Sequence, residues 1–229
     1  MVQVPRRPAF ADSALVRLLA RWNEADVRIP AASTAERLSQ WLAWTDAIAL
    51  STVLNAPVAR TKAVASTPDD ECARVRDGLG KTIREDSLYA SVDDDATLAT
   101  AIDFAPYRLR YLARQQAMEA GVGPLRAKLR GALAARSPEM AKLATVDAVM
   151  EQALQAREHS LLATVPAMLE KRFKRLRQAA TPAPDAPESD AVPMAWLSVF
   201  HQDIRDLLLA ELDFRFQPVD GLLEALRSS

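Results

Sequence analysis

The sequence predicts an all-α fold: a multi-helix bundle with one long helix and a C-terminal helix after a flexible linker. Composition is the first reason. The 229 residues include 43 Ala and 29 Leu but only 6 Gly, and Ala and Leu lose little conformational freedom in a helix. Periodicity is the second reason, because apolar residues recur at spacings of three and four, whereas no stretch alternates long enough to indicate a strand.

Composition divides the chain into four parts. Residues 1–12 are expected to be a flexible N-terminus, and residues 13–180 the helical bundle. Residues 181–193 are rich in proline and acidic residues, which is typical of a linker. Residues 194–229 form a C-terminal helical segment whose large apolar side chains must pack on the bundle or on a partner.

Capping residues mark the helix starts in the first half. Ser13 is expected to cap a helix that runs to about Ala25. Residues 33–36 read as a capping box for a second helix that ends at residues 55–57, and Pro68 occupies the first turn of a third.

Three other features of this half are assigned to packing and capping. Trp41 and Trp44 share one side of the second helix, where we expect one core anchor and one half-exposed neighbour. Cys72 falls on the apolar face of the third helix and is expected to be a small core residue. The acidic run at residues 93–95 can cap a short helix that reaches Ile102.

Prolines predict where the later helices change direction or end. Pro106 opens a helix whose apolar face is taken to be Leu109, Leu112, Ala113, Gln116 and Ala120. Beyond Pro124 the apolar positions lie about half a turn away, so we expect a break or sharp kink between residues 120 and 125.

The longest apolar stripe begins after residues 137–139 and continues to Leu176. If unbroken, residues 138–178 would form a rod of about 60 Å, with Pro166 as the kink site. A last helix is expected over residues 194–216, ended by residues 217–218 and followed by a short amphipathic tail.

Charge is strongly partitioned although the net charge is only −1. Residues 1–105 carry 12 basic and 15 acidic side chains, residues 106–180 carry 14 and 6, and residues 181–229 carry 3 and 9. The densest basic point, here called the basic cluster, comprises Lys171, Arg172, Lys174, Arg175 and Arg177. It is either a solvated helix C-terminus, where cations favour the macrodipole, or an anion-binding surface for nucleic acid, an acidic partner or the chain's own acidic tail.

Candidate chemistry is sparse. His159 and His201 lack the spacing of metal ligands, so no metal, cofactor or catalytic residue is assigned. An enzyme would require a polar pocket holding His159, Glu158 or Glu211. Glu211 and Asp203 fall within or beside the apolar arc of the last helix, and we expect Glu211 to meet an arginine of the basic centre or of a partner. The candidate partner interface on this helix is Trp196, Phe200, Leu207, Glu211 and Phe214.

No apolar run has the length of a signal peptide or of a membrane span, which predicts a cytoplasmic protein with no direct membrane insertion. Partner proteins, nucleic acid and a second copy of the chain are all left open as binding partners by the residue pattern.

Three groups of segments resemble a proteobacterial family of unknown function: residues 13–20, residues 147–154 with 162–173, and residues 209–218 with 221–227. Members of that family are typically encoded beside a membrane protein of the proton-channel stator type and an OmpA-like, peptidoglycan-binding protein, as in type III Zorya antiphage systems. The resemblance implies a cytosolic accessory component that works without catalysis, as an adaptor for proteins of the same gene cluster. A nucleic-acid-binding module using the basic cluster is the alternative.

Overall fold

The computed structural model describes residues 13–23, 42, 44–55, 68–89, 103–180 and 195–228, and within these ranges it contains helices and no strand. The all-α prediction is confirmed. The helices are α1 (Ala14–Asn23), α2 (Trp44–Asn55), α3 (Pro68–Arg84), α4 (Ala105–Ala134), α5 (Pro138–Leu162), α6 (Val165–Ala180) and α7 (Ala195–Ser228), with a 3-10 turn at Ser87–Tyr89.

Packing divides the described residues into two compact units. Unit 1 contains residues 13–23, 79–89, 103–116, 164–180 and 195–214. Unit 2 contains residues 42, 44–55, 68–78, 117–163 and 215–228. Helices α3, α4 and α7 therefore supply residues to both units.

The helix starts follow the predicted capping chemistry. The Ser13 hydroxyl accepts a hydrogen bond from the Val16 amide at 3.3 Å, which satisfies one of the free amides of the first turn of α1. Helix α3 begins at Pro68 as predicted. At α5 the Ser137 hydroxyl accepts from the Met140 amide at 3.3 Å, and proline stands at the first helical position.

Unit 1 is built around a cluster of aromatic rings centred on Phe173 of α6. The Phe173 ring lies 5.7 Å from Phe104, 6.0 Å from Tyr107, 5.2 Å from Trp196 and 5.0 Å from Phe200, measured between centroids. Tilted and edge-on contacts of this kind stabilise beyond the buried area alone. They fix α6 against α4 and α7, and α1 packs against α6 as well.

Unit 2 has an aliphatic core and an ion-pair network at its side. Arg126 makes a bidentate contact with Asp147 at 2.7 and 2.9 Å, and Arg130 reaches both Asp147 at 3.0 Å and Glu151 at 2.6 Å. Helix α2 packs against α5. The buried side chains of this unit include Met118, Leu125, Leu129, Leu133, Ala141, Ala144, Leu162, Val219, Leu222 and Leu226.

Helix α4 runs from Ala105 to Ala134 with Pro124 inside it, so a break between residues 120 and 125 is wrong, while a kink there stays a prediction. The predicted face was wrong as well, since Leu109 is 69% exposed. One continuous stripe is buried instead, at spacings of three and four. It consists of Tyr107, Tyr111, Gln115, Met118, Val122, Leu125, Leu129 and Leu133.

The helical segment from residue 138 to residue 180 is divided at residues 163–164 into α5 and α6. The Ala163 amide donates to the His159 carbonyl at 2.9 Å and closes α5. Pro166 is the second residue of α6, where its missing N–H removes no intrahelical bond. Helix α7, in contrast, continues through Pro218 to Ser228, so the predicted end at residues 217–218 is wrong.

The described helix α2, Trp44–Asn55, buries none of its residues. Trp44 is 81% exposed, so it is neither the core anchor nor the half-exposed neighbour that was expected of the two tryptophans. Trp41, the capping box at residues 33–36, the acidic run at 93–95, the N-terminal residues 1–12 and the linker at 181–193 lie outside the described residues.

Candidate functional site

The basic cluster lies on α6, and two of its cations contact other parts of unit 1. The Arg172 guanidinium donates to the Asp203 carboxylate at 2.8 Å. Arg175 donates to the Trp22 carbonyl at 3.0 Å, and Lys174 pairs with Glu170 at 2.6 Å one turn away on α6. Part of this charge therefore contributes to the packing of the unit.

The basic cluster also presents an exposed cationic face. Lys171, Lys174, Arg175 and Arg177 are exposed, whereas Arg172 is half-buried. The structure brings these residues together on one helix, as predicted. Whether the face binds an anion is not tested by this geometry, and that interpretation stays a prediction.

The candidate partner interface on α7 lies mostly in the core of unit 1. Trp196 is 7% exposed, and Phe200, Leu207 and Glu211 are 0% exposed; only Phe214 is half-buried. The large apolar side chains of this helix are covered by the chain itself. A partner could contact the four buried residues only if they left this core, so the surface assigned to them is corrected.

Glu211 receives its hydrogen bonds from α4. The Tyr111 hydroxyl donates to it at 2.5 Å, and the Gln115 amide nitrogen lies 3.1 Å from both carboxylate oxygens. The carboxylate of α7 that accepts from an arginine is Asp203, through Arg172, whereas the contact expected between Glu211 and an arginine stays a prediction. Bonds to several donors are what a buried carboxylate needs.

A second buried polar contact lies nearby in the same unit. The Tyr107 hydroxyl is 2.9 Å from Nε2 of His201, and His201 is 3% exposed. The Tyr89 ring lies 6.2 Å from the His201 ring. Burial raises the pKa of both Tyr107 and Tyr89 above the ordinary value, so both phenols are neutral at physiological pH.

The 3-10 turn that carries Tyr89 is held by Asp86. Its carboxylate accepts from Arg114 at 3.0 and 2.5 Å and lies 3.7 Å from Arg110. It also accepts from the Leu88 amide at 3.2 Å. Because the Asp86 side chain is 1% exposed, this ion pair fixes the turn against α4.

These contacts form what is here called the polar centre: Tyr107, Tyr111, Gln115, His201 and Glu211. Its members are 8% exposed or less and form two bonded groups between α4 and α7: Tyr107 with His201, and Tyr111 and Gln115 with Glu211. Aromatic rings pack against Tyr107 and His201. A satisfied buried network of this kind rigidifies a core and specifies which helices pair.

The sequence reading missed Tyr107, Tyr111 and Gln115. Leu109 and Leu112 drew the predicted apolar face to the wrong side of α4. The available signal was the 4-4-3 spacing of Tyr107, Tyr111, Gln115 and Met118, which is the spacing of one helical face.

Unit 2 contains a half-open groove of about 460 Å³ between α3 and α7. Arg76 pairs with Asp220 at 2.8 Å and its guanidinium lies 4.5 Å above the Phe216 ring. Arg227 pairs with Asp69. Cys72 lines the groove as a free, buried thiol. Burial is the largest cause that raises the pKa of this thiol, and the negative charge of Asp69 is the second. The thiolate is thereby disfavoured, which agrees with the predicted packing role.

His159 lies on the surface of unit 2. It is 74% exposed, and its Nδ1 lies 3.8 Å from Glu119. Within the described ranges, no group of three or more His, Cys, Asp or Glu side chains is placed to hold a metal ion. A search of the same residues finds no helix with the length and apolar character to span a membrane.

A comparison with known protein families identifies the family of this chain. A family model described as "Protein of unknown function (DUF3348)" matches residues 1–228. The chain belongs to the DUF3348 family. No curated protein and no solved structure matches this DUF3348 member.

Proposed function

We propose that this DUF3348 protein is a non-enzymatic interaction protein whose described residues form a scaffold for binding other proteins. The observation that carries the proposal is the use of its buried polar groups. Tyr107 with His201, and Tyr111 and Gln115 with Glu211, bond to one another inside a packed core. Side chains held in this way position helices, whereas a reaction centre needs groups that reach a substrate.

The cellular role is proposed from the resemblance to proteins encoded beside stator-type membrane proteins, which is carried by residues 13–20, 147–154 with 162–173, and 209–218 with 221–227. On this proposal the protein is a cytoplasmic accessory component of an antiphage defence system related to type III Zorya. Its partners are proteins of the same gene cluster, and it works as an adaptor between them.

The exposed face of α6 is the surface that we propose for partner contact. It carries Lys171, Lys174, Arg175 and Arg177 without any of the aromatic core side chains. Charged side chains on an exposed surface steer the encounter with a partner protein. They also make the association depend strongly on the salt concentration. An acidic surface on a partner protein is the matching chemistry.

Co-purification from cells that carry the whole gene cluster tests this proposal. The full-length chain is used as bait, with Lys171→Glu combined with Lys174→Glu as the interface variant. Lys81→Glu is the matched control, because Lys81 also pairs with an acid one turn away and is similarly exposed, at 70% against 64% for Lys174.

We expect the double variant to lose at least nine-tenths of the captured partner and the control to retain it. Equal capture by all three proteins would remove α6 from the mechanism. Absence of any captured cluster protein, at low as well as moderate salt, would contradict the adaptor role.

Nucleic-acid binding is the second candidate, favoured by the four exposed cations of α6. A gel-shift titration at low and moderate salt discriminates it from protein binding. Neutralising about three phosphates would make the association constant fall steeply with salt. Lack of any shift at low salt would exclude this function.

A further inference from the structure

We propose that the groove between α3 and α7 binds a long basic side chain, arginine or lysine, that an exposed segment of a partner protein presents. The groove lies within unit 2 and is formed by residues 69–77 and 216–227. This site is independent of the cationic face of α6, because it belongs to other helices and carries charge of the opposite sign. A second surface of this kind is what an adaptor needs in order to join two partners.

Two ion pairs join α3 to α7 across the groove. Arg227 donates to Asp69 through Nε at 2.9 Å, and Arg76 donates to Asp220 at 2.8 Å. Because the paired positions are two helical turns apart on each helix, the ion pairs lie about 10 Å apart along the helix axes. The groove that they cross has a volume of about 460 Å³, within the roughly 300–1,000 Å³ of small binding sites. An extended arginine or lysine side chain fits this length.

The floor of the groove is apolar. Cys72, Phe216 and Leu223 line it and are 5%, 1% and 6% exposed. The methylene stem of a basic side chain packs on apolar surface while its charged end contacts polar groups. Arg76 is already held in this way, since its guanidinium lies 4.5 Å above the Phe216 ring and donates to Asp220. The rest of the floor offers the same environment to a second basic side chain.

Carboxylates outnumber basic groups among the charged side chains that line the groove. Four are acidic and two are basic: Asp69, Asp77, Asp220, Glu224, Arg76 and Arg227. Each arginine donates to a carboxylate of the other helix, so an anionic ligand would have to displace that carboxylate. A cationic ligand meets the excess of negative charge instead. Charge complementarity therefore favours a basic occupant.

The surroundings of Cys72 show the same excess of negative charge at the floor. Burial is the largest cause that raises the pKa of this thiol, and neighbouring carboxylates raise it further: Asp69, Glu71 and Asp220. Arg76 acts in the other direction and lowers it. The carboxylates that disfavour a negative charge at this position stabilise a positive charge that is placed there.

Isothermal titration calorimetry of the full chain tests the inference, with a blocked hexapeptide of three Gly-Arg repeats as the probe. We expect a Kd between about 10 µM and 1 mM, because one or two side chains bury little surface, and weaker binding at higher salt. The matching hexapeptide of three Gly-Gln repeats has no charge and should bind at least tenfold more weakly.

Asp77→Asn tests the contribution of charge. Asp77 is exposed, and the two arginines of the groove donate to other carboxylates, so this change leaves both ion pairs intact. It should raise the Kd of the arginine peptide at least threefold. Asp213→Asn is the matched control, because Asp213 is an exposed aspartate of α7 that does not line the groove. Its Kd should equal that of the unmodified chain.

Ala73→Trp tests the contribution of shape without changing the charge. Ala73 lines the groove and is exposed, so the indole should fill the groove and abolish binding while the far-UV circular dichroism stays unchanged. Ala113→Trp, at an exposed alanine of α4, is the control and should bind normally. An unmodified chain that does not bind the arginine peptide at about 1 mM would overturn the inference. So would an equal Kd for the two peptides, or an equal Kd for the unmodified chain, Asp77→Asn and Ala73→Trp.

Discussion

Replacing Tyr111 by Phe should destabilise unit 1, whereas the same replacement at Tyr89 should not. Both rings are buried, at 0% and 1% exposure. The Tyr111 hydroxyl donates to Glu211 at 2.5 Å, a distance typical of hydroxyl donors to carboxylates. The Tyr89 hydroxyl is buried and has no hydrogen-bond partner among the residues that the structure describes. Both substitutions remove a hydroxyl oxygen, but that oxygen is hydrogen-bonded in Tyr111 and not in Tyr89.

The expected free-energy changes of the two substitutions differ in size. Losing a hydrogen bond to a buried carboxylate costs about 2 kcal/mol, within a usual range of roughly 1.5–3. For a chain of this length that change lowers Tm by about 4–8 °C. Removing the unpaired Tyr89 hydroxyl relieves a desolvation cost, so Tyr89→Phe should lie within about 0.5 kcal/mol of the unmodified protein or be more stable.

Urea unfolding followed by far-UV circular dichroism measures both variants, with thermal melts as a second readout. The m-values should match that of the unmodified chain, which shows that the compactness of the end states has not changed. Equal destabilisation by the two substitutions would refute the reasoning, since loss of the hydrogen bond to Glu211 would then not explain the effect at Tyr111.

Three further predictions concern a cap, an ion-pair network and pH. Ser137→Ala removes the acceptor at the start of α5 and should cost about 1 kcal/mol in urea unfolding; an unchanged midpoint would contradict the capping role. Asp147→Asn leaves Arg126 and Arg130 short of a charged partner and should cost about 1–3 kcal/mol, seen as a lower Tm. Burial raises the pKa of Tyr107, so the unfolded chain loses the phenol proton first as pH rises. The stability that the neutral phenol contributes is therefore present below about pH 10 and lost above it. A Tm that stays constant from about pH 8 to 11 would argue against this.

Local signals in the sequence predicted the helical architecture well. Ser13, Pro68 and Ser137 mark helix starts because capping acts over three or four residues. The burial of Cys72 also followed from its position on an apolar helical face. These features depend only on neighbours in the chain, which a single sequence displays directly.

Tertiary contacts decided what the sequence reading missed. Pro124 and Pro218 lie inside helices because packing on both sides outweighs one absent hydrogen bond. The tyrosines of α4 are buried because Glu211 and His201, about 100 residues away, accept or share their hydrogen bonds. No pattern within α4 announces those partners.

The position of Trp44 was also beyond the sequence pattern. Three-residue spacing placed it beside Trp41 on one side of a helix, but the spacing cannot tell whether another element covers that side. The same limit applied to the basic cluster, where Arg172 and Arg175 turned out to hold Asp203 and the Trp22 carbonyl.

Helix α7 supplies core residues to both units: Phe200, Ile204 and Leu207 to one, Phe216, Val219 and Leu222 to the other. Neither core is complete until this one helix has formed along its length. A change that unwinds α7 should therefore be felt in both units, so that their cooperative unfolding is linked through a shared element of secondary structure.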